Sequence, residues 1–170
     1  MQETFDEYKK RVLGYQKGED PLKVQAATVK KIEKLIKDVP RANLMRRPSP
    51  DRWSVAEIIA HLADAEMVGG YRIRMILGSP GVAIQAFDQD KWATAGKYAK
   101  RDPKKSLETF RALREMNLAL FKSLDPAQWK QFGIHSERGK ENIEMYTKLY
   151  AGHDINHLKQ IEQIMGKTAR

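Results

Sequence analysis

The stretch YAGHDINHLKQI, residues 150–161, carries two of the chain's four histidines, His153 and His157. A helix advances about 100° per residue, so residues four apart share a face and both imidazoles can reach one first-row metal ion. Tyr146, Leu149, Tyr150, Asn156 and Gln160 fall on the same stripe. Plain core packing does not need two imidazoles and two side-chain amides in one line, and such groups require partners when buried. The spacing departs from the His-Glu-x-x-His pattern of metalloproteases at Asp154. Aspartate is one methylene too short to work easily on a metal-bound water, and protease chemistry is not expected.

Two imidazoles leave a metal under-coordinated, so a third ligand must come from another element. His61 is the natural candidate, two turns into SVAEIIAHLADAE. It lies at the border of an apolar face centred on Ile58, Leu62, Ala65, Gly69, Ile73 and Ile76. Three histidines from two helices, with coordination positions left open, are the pattern of a catalytic rather than a structural ion. Asp64 is placed either to orient an imidazole or to pair locally with an arginine or lysine. Arg72, on the same stripe as His61, either anchors an anionic substrate or pairs with a neighbouring acid. His135, in GIHSERG, falls on a polar link and reads as an exposed or locally bonded histidine, not a fourth ligand.

The elements that must hold these residues are helices. EDPLKVQAATVKKIEKLIKDV opens on an Asp-Pro start, and SVAEIIAHLADAEMVGGYRIRMILG opens with Ser54 and Glu57 at capping-box spacing. Gly69 and Gly70 in the second of these either bend it or admit a close neighbour. DPKKSLETFRALREMNLALFKSL is a third long helix, and the last is expected from about Lys140 to Ile164. A short helix over residues 3–16 precedes them. PRANLMRRPSPDRW reads as a proline-punctuated connection, DPAQW as a single helical turn and KQFGIHSERG as a polar link. Between the second and third long helices, residues 80–100 form an irregular loop, and loops of that length are often functional. The expectation is an all-α protein, a four-helix bundle in one domain spanning residues 1–170.

Composition narrows the chemistry further. The 170 residues contain no cysteine, which excludes disulfides, thiolate metal sites and cysteine nucleophiles. A metal here must use His, Asp or Glu. The formal net charge of +9 invites a nucleic-acid reading. The lysines and arginines, however, are scattered in short runs beside acidic residues, as on solvated helix faces, and nucleic acid is not the expected partner. No apolar stretch suits a membrane span and the polar start is unlike a signal peptide, so a cytoplasmic protein is expected.

RWSVAEIIAHLADAE, GYRIRMIL, FDQDKWA and YAGHDINHLKQI together resemble the DinB-like (DinB/YfiT) superfamily of metal-dependent enzymes, over about Asp20 to Ile164. The resemblance implies a bundle of unusual connectivity and a three-histidine site that matches His61, His153 and His157. It also implies thiol-dependent transferase or isomerase chemistry, with a low-molecular-weight thiol as cosubstrate, or a hydrolase. On this reading one divalent ion (zinc, nickel or iron) activates water or a thiol for attack on a small-molecule substrate. Tyr150, Asn156 and Gln160 would line the groove. Asp88, Asp90 and Trp92 would form a lid or pocket wall, or Trp92 would simply pin the loop. The competing expectation is a basic helical binding or dimerisation module, a homodimer, with a structural or vestigial metal site.

Overall fold

The computed structural model describes residues 4–167. Residue 3 of the expected N-terminal helix, and residues 1–3 and 168–170 of the expected domain, lie outside them. Four long helices form the bundle: α2 (Pro21–Ile36), α4 (Val55–Gly78), α6 (Pro103–Ser123) and α8 (Ile143–Met165). A shorter helix, α1 (Phe5–Gln16), packs on α8, while α4 lies mainly against α6 and α2 mainly against α8. None of the helices is long and apolar enough to cross a membrane, among the described residues.

The caps explain where the long helices begin. Asp20 and Asp102 accept from the backbone amides two and three residues on, each followed by proline at the first helical position. Ser54 and Glu57 form the reciprocal capping box expected of α4. The α8 helix starts later than expected, because Asn142 caps it on the Met145 amide.

The connections hold more structure than expected. The link before α8 is a hairpin: β2 (Phe132–His135) pairs antiparallel with β3 (Gly139–Asn142), and Gly139 takes a positive φ in the turn. A two-residue strand, β1 (Ala83–Ile84), joins β2 in parallel and thereby stitches the long 79–102 connection to the hairpin. That connection also contains α5 (Gln89–Ala95) and a 3-10 turn at Tyr98–Lys100. The proline-rich segment before α4 contains α3 (Arg41–Met45), and α7 (Pro126–Trp129) is the expected single turn.

Two apolar clusters fill the bundle. One gathers Ile32, Leu35, Ile58, Ile59, Phe110 and Ile161, the other Ile73, Ile76, Phe121, Ile143 and Tyr146. All four long helices place buried polar residues in the sequence interval between the clusters: Gln25 and Thr28, Glu66, Arg114 and Asn117, and Asp154. Arg114 donates to Asp154 (2.5 and 3.1 Å), Glu66 (2.8 Å) and the Gln25 carbonyl (2.7 Å). Thr28 donates to Asp154, and Asn117 donates to Glu66. Burial opposes the guanidinium charge, but the two carboxylates more than offset it and hold the Arg114 pKa above the ordinary arginine value.

The α4 helix runs unbroken through Gly69 and Gly70, so those residues serve close approach. A Cβ on Gly69 would lie 2.5 Å from the Tyr150 ring, and one on Gly70 would lie 2.4 Å from the Asn117 amide.

Candidate metal centre

The α4 helix supplies His61, and α8 supplies His153 and His157 from consecutive turns. The three rings meet between the helices through their Nε2 atoms. His61 Nε2 lies 3.0 Å from His153 Nε2, which lies 3.1 Å from His157 Nε2. The outer side of His157 is tied down: its Nδ1 lies 2.8 Å from Gln160 Oε1. An amide oxygen only accepts, so the Nδ1 carries the proton and the Nε2 lone pair points at the cluster. His61 is held by packing instead, its ring 5.1 Å from that of Trp53, with a buried Nδ1 that has no hydrogen-bond partner.

Burial, reinforced by the neighbouring imidazoles, pushes His61 and His153 well below the ordinary histidine pKa. His157 is lowered to about 4, chiefly by burial. All three rings are therefore neutral near pH 7, the state in which an imidazole ligates a metal.

The donor set fits a cation. With His157 protonated on Nδ1, its Nε2 can only accept. If His61 donates to His153, then His153 has nothing to give His157; if His153 donates, one proton faces two acceptors. A positive ion shared by three nitrogen lone pairs resolves that shortage, and the protein's own groups do not.

Two cavities reach the cluster. The larger, about 530 Å³, is lined by His61 and His153 together with Ala65, Arg72, Tyr146 and Tyr150. The smaller, about 350 Å³, touches His157, Gln160, Asn156 and Trp53 from the other side. Both sizes suit a small molecule. Tyr8 of α1 and Gln89 of α5 line both.

The other expected site residues divide. Asp64 does not orient an imidazole; its oxygens accept from Tyr98 (2.7 Å) and Arg101 (2.8 Å), the expected arginine pairing, made across the long connection rather than locally. Arg72 pairs with no acid among the described residues. Its Nη2 donates to the Gln85 carbonyl (2.6 Å), and its guanidinium sits 5.6 Å from the Phe87 ring centroid. Tyr150 lines the larger cavity and donates its hydroxyl to the Ala65 carbonyl (3.2 Å). Asn156 accepts from Arg11 (2.5 Å).

Asp88 caps α5, and Asp90 lines the smaller cavity. Trp92 packs on Phe87 at 4.8 Å and holds that ring at the larger cavity, so its role is the anchor. His135 is buried rather than exposed. It sits on β2 and accepts the Glu137 amide proton at Nδ1. Burial, then Arg138 and Arg72, lower it to about 4.

Sequence reasoning missed Tyr8, Arg11, Phe87 and Arg138 as cavity or cluster neighbours. The spacing of Tyr8 and Arg11 on one face of α1 was the available signal; Arg138, in a hairpin turn, had none.

The DinB superfamily model matches residues 26–161. A candidate metal-dependent hydrolase of Bacillus licheniformis is 30% identical over 119 residues, 67% of each chain. YfiT of Bacillus subtilis, also named as a candidate metal-dependent hydrolase, is 28% identical over 119 residues, 67% of this chain and 66% of that one. The chain thus matches about two thirds of the length of these relatives. The solved structure of YfiT, described as having an unusual four-helix bundle topology, aligns with a TM-score of 0.77 at 21% identity, covering 98% of this chain and 92% of that one. The architecture and the family match agree: the chain belongs to the DinB superfamily.

Proposed function

We propose that this protein is a metal-dependent enzyme acting on a small molecule, with His61, His153 and His157 holding one divalent ion. The observation that carries the reading is the convergence of three histidine Nε2 atoms from two helices, 3.0 and 3.1 Å apart along the cluster, at the wall of a cavity of about 530 Å³. Three imidazoles suit zinc, nickel or iron(II). A bound ion of this kind supplies Lewis acidity and lowers the pKa of a water or thiol, so that a nucleophile is available near neutral pH.

The chain's own residues set up that chemistry. Gln160 fixes the tautomer of His157, Trp53 fixes the ring of His61, and the two flanking cavities admit reactants from either side. Among the described residues no aspartate or glutamate lines the larger cavity, so the proton that an attacking water or thiol gives up leaves to solvent rather than to a side-chain carboxylate there. The ion would lower the pKa of water and thiol alike, so transfer of a low-molecular-weight thiol and hydrolysis both fit this cavity. The reaction takes place in the cytoplasm on this reading.

The test is elemental analysis of untagged protein purified without chelator, beside a His157→Ala variant. About one equivalent of a single first-row metal in the wild type, and under a tenth of that in the variant, is the expected result. No metal in either, and none taken up on addition, would sink the proposal.

A further inference from the structure

The larger cavity follows the groove between α4 and α8. Opposite pairs along it run His61 with His153, Ala65 with Tyr150, and the turn of Arg72 and Ile73 with Tyr146, which shares an apolar cluster with Ile73. Tyr146 and His153 are seven residues apart on α8, about 10 Å of helix. The histidine cluster therefore stands at one end of the groove and Arg72 with Tyr146 at the other. Leu149, Phe87 and the Tyr150 ring make the stretch between them apolar.

The far end holds a guanidinium without a counter-charge and a hydroxyl proton without an acceptor, among the described residues. Arg72 is 5% exposed, yet among the described residues no carboxylate pairs with it. The other deeply set arginines are matched: Arg114 by two carboxylates, and Arg138 by a bidentate contact with Glu141. A guanidinium removed from water without a counter-charge is costly, and removal of one partner from a buried ion pair shows the size of that cost. Tyr146 is 1% exposed, and its hydroxyl faces the Arg138 guanidinium, which can only donate, so among the described residues the hydroxyl proton has no acceptor. The Arg138 guanidinium lies 5.8 Å from the same ring. Among the described residues no acid lines the cavity; Glu141 behind it balances Arg138, which leaves the Arg72 charge uncompensated at this end.

We propose that this end is an anion subsite. Arg72 and the Tyr146 hydroxyl receive the terminal carboxylate or phosphate of an elongated small molecule, whose reacting group lies about 10 Å away at the histidine cluster. The apolar middle of the groove holds its spacer. Only the identity of the reacting end rests on the metal-enzyme reading; the anion contact does not.

The test is calorimetric titration of the full-length protein with hexanoate, hexyl phosphate and the neutral hexanamide. Each is run on the wild type as purified, on Arg72→Gln, on Tyr146→Phe and on His157→Ala. The expected result is that at least one anion binds while the amide does not. Arg72→Gln should weaken anion binding tenfold or more, and Tyr146→Phe two- to fivefold. A preference for hexanoate or for hexyl phosphate supports the subsite either way and names its anion.

Equal binding of hexanamide, absence of binding by both anions, or unchanged binding in a folded Arg72→Gln protein would overturn the proposal. If Arg72→Gln does not fold, the comparison of hexanoate with hexanamide on the wild type decides alone. The His157→Ala protein separates the two readings. Anion binding that persists there, in a protein found never to hold metal, keeps the subsite and removes the enzyme. Metal without anion binding does the reverse.

Discussion

His153 and Asp154 are adjacent in the chain, and their side chains enter two polar regions that behave in opposite ways. Asp154 joins a closed network. Arg114, Glu66, Thr28, Asn117 and the Gln25 backbone exchange donors and acceptors until only the Arg114 Nε is left over. His153 joins a cluster of like groups whose lone pairs face one another and which no neighbour completes. Both regions are buried, both draw on α4 and α8, and both contain ionisable groups. Burial alone does not distinguish a structural polar group from a functional one. What separates them is whether the protein supplies the partner.

The largest expected effect tests the closed side. Arg114→Leu strands Glu66 and Asp154 without their cation, and stability measured by urea unfolding should fall by about 3–5 kcal/mol. A loss under about 1 kcal/mol would erase the distinction between the two regions. His153→Ala tests the open side. Metal affinity should fall at least a hundredfold, while chelated protein loses only about 1 kcal/mol, because no buried charge is left unpaired.

Gln160→Leu sharpens the contrast at one remove. The Nδ1 proton of His157 loses its acceptor, so metal affinity should drop about 10- to 100-fold with unfolding nearly unchanged. An unaltered metal titration would show that the amide does not set the tautomer.

The smallest effect concerns pH, and it is read on chelated protein. His135 belongs to neither region: one ring nitrogen accepts the Glu137 amide proton and the other has no partner among the described residues. Its folded pKa of about 4 lies below the ordinary value, so the unfolded chain takes up a proton first as pH falls. The stability it contributes is complete above about pH 6.5 and declines toward pH 4. His135→Gln should flatten the fall in urea midpoint across that window; an identical slope would remove His135 from the acid response.

The two regions were also unequally legible in the amino-acid sequence. His61, His153 and His157 announce themselves because histidine is rare here and the i, i+4 spacing within α8 is a local pattern. The helix starts were legible for the same reason, since Ser54–Glu57 and Asp102–Pro103 act over three residues or fewer.

The Arg114 network was hidden. Arg114 lies 40 residues from Asp154 and 48 from Glu66, and each looks like an ordinary charge on an amphipathic helix until the partners meet. Asp64 was legible only as two alternatives, because the partners that decide between them, Tyr98 and Arg101, lie across the long connection. The β2–β3 hairpin escaped because GKEN has neither alternation nor β-branched residues. Its pairing comes from backbone contacts and the Gly139 turn rather than from side-chain preference.

The packing of α1 on α8 sets the shape of both cavities. At Gly152 a Cβ would come within 2.2 Å of the Val12 carbonyl oxygen, so the two backbones touch where any other residue would hold them apart. This places Tyr8 over both cavities and Arg11 on Asn156. A side chain at residue 152 would push α1 off α8 and open both cavities on one side, while the three histidines, held on α4 and α8, would stay where they are. That one glycine sets the shape of the chamber and not its set of nitrogen donors.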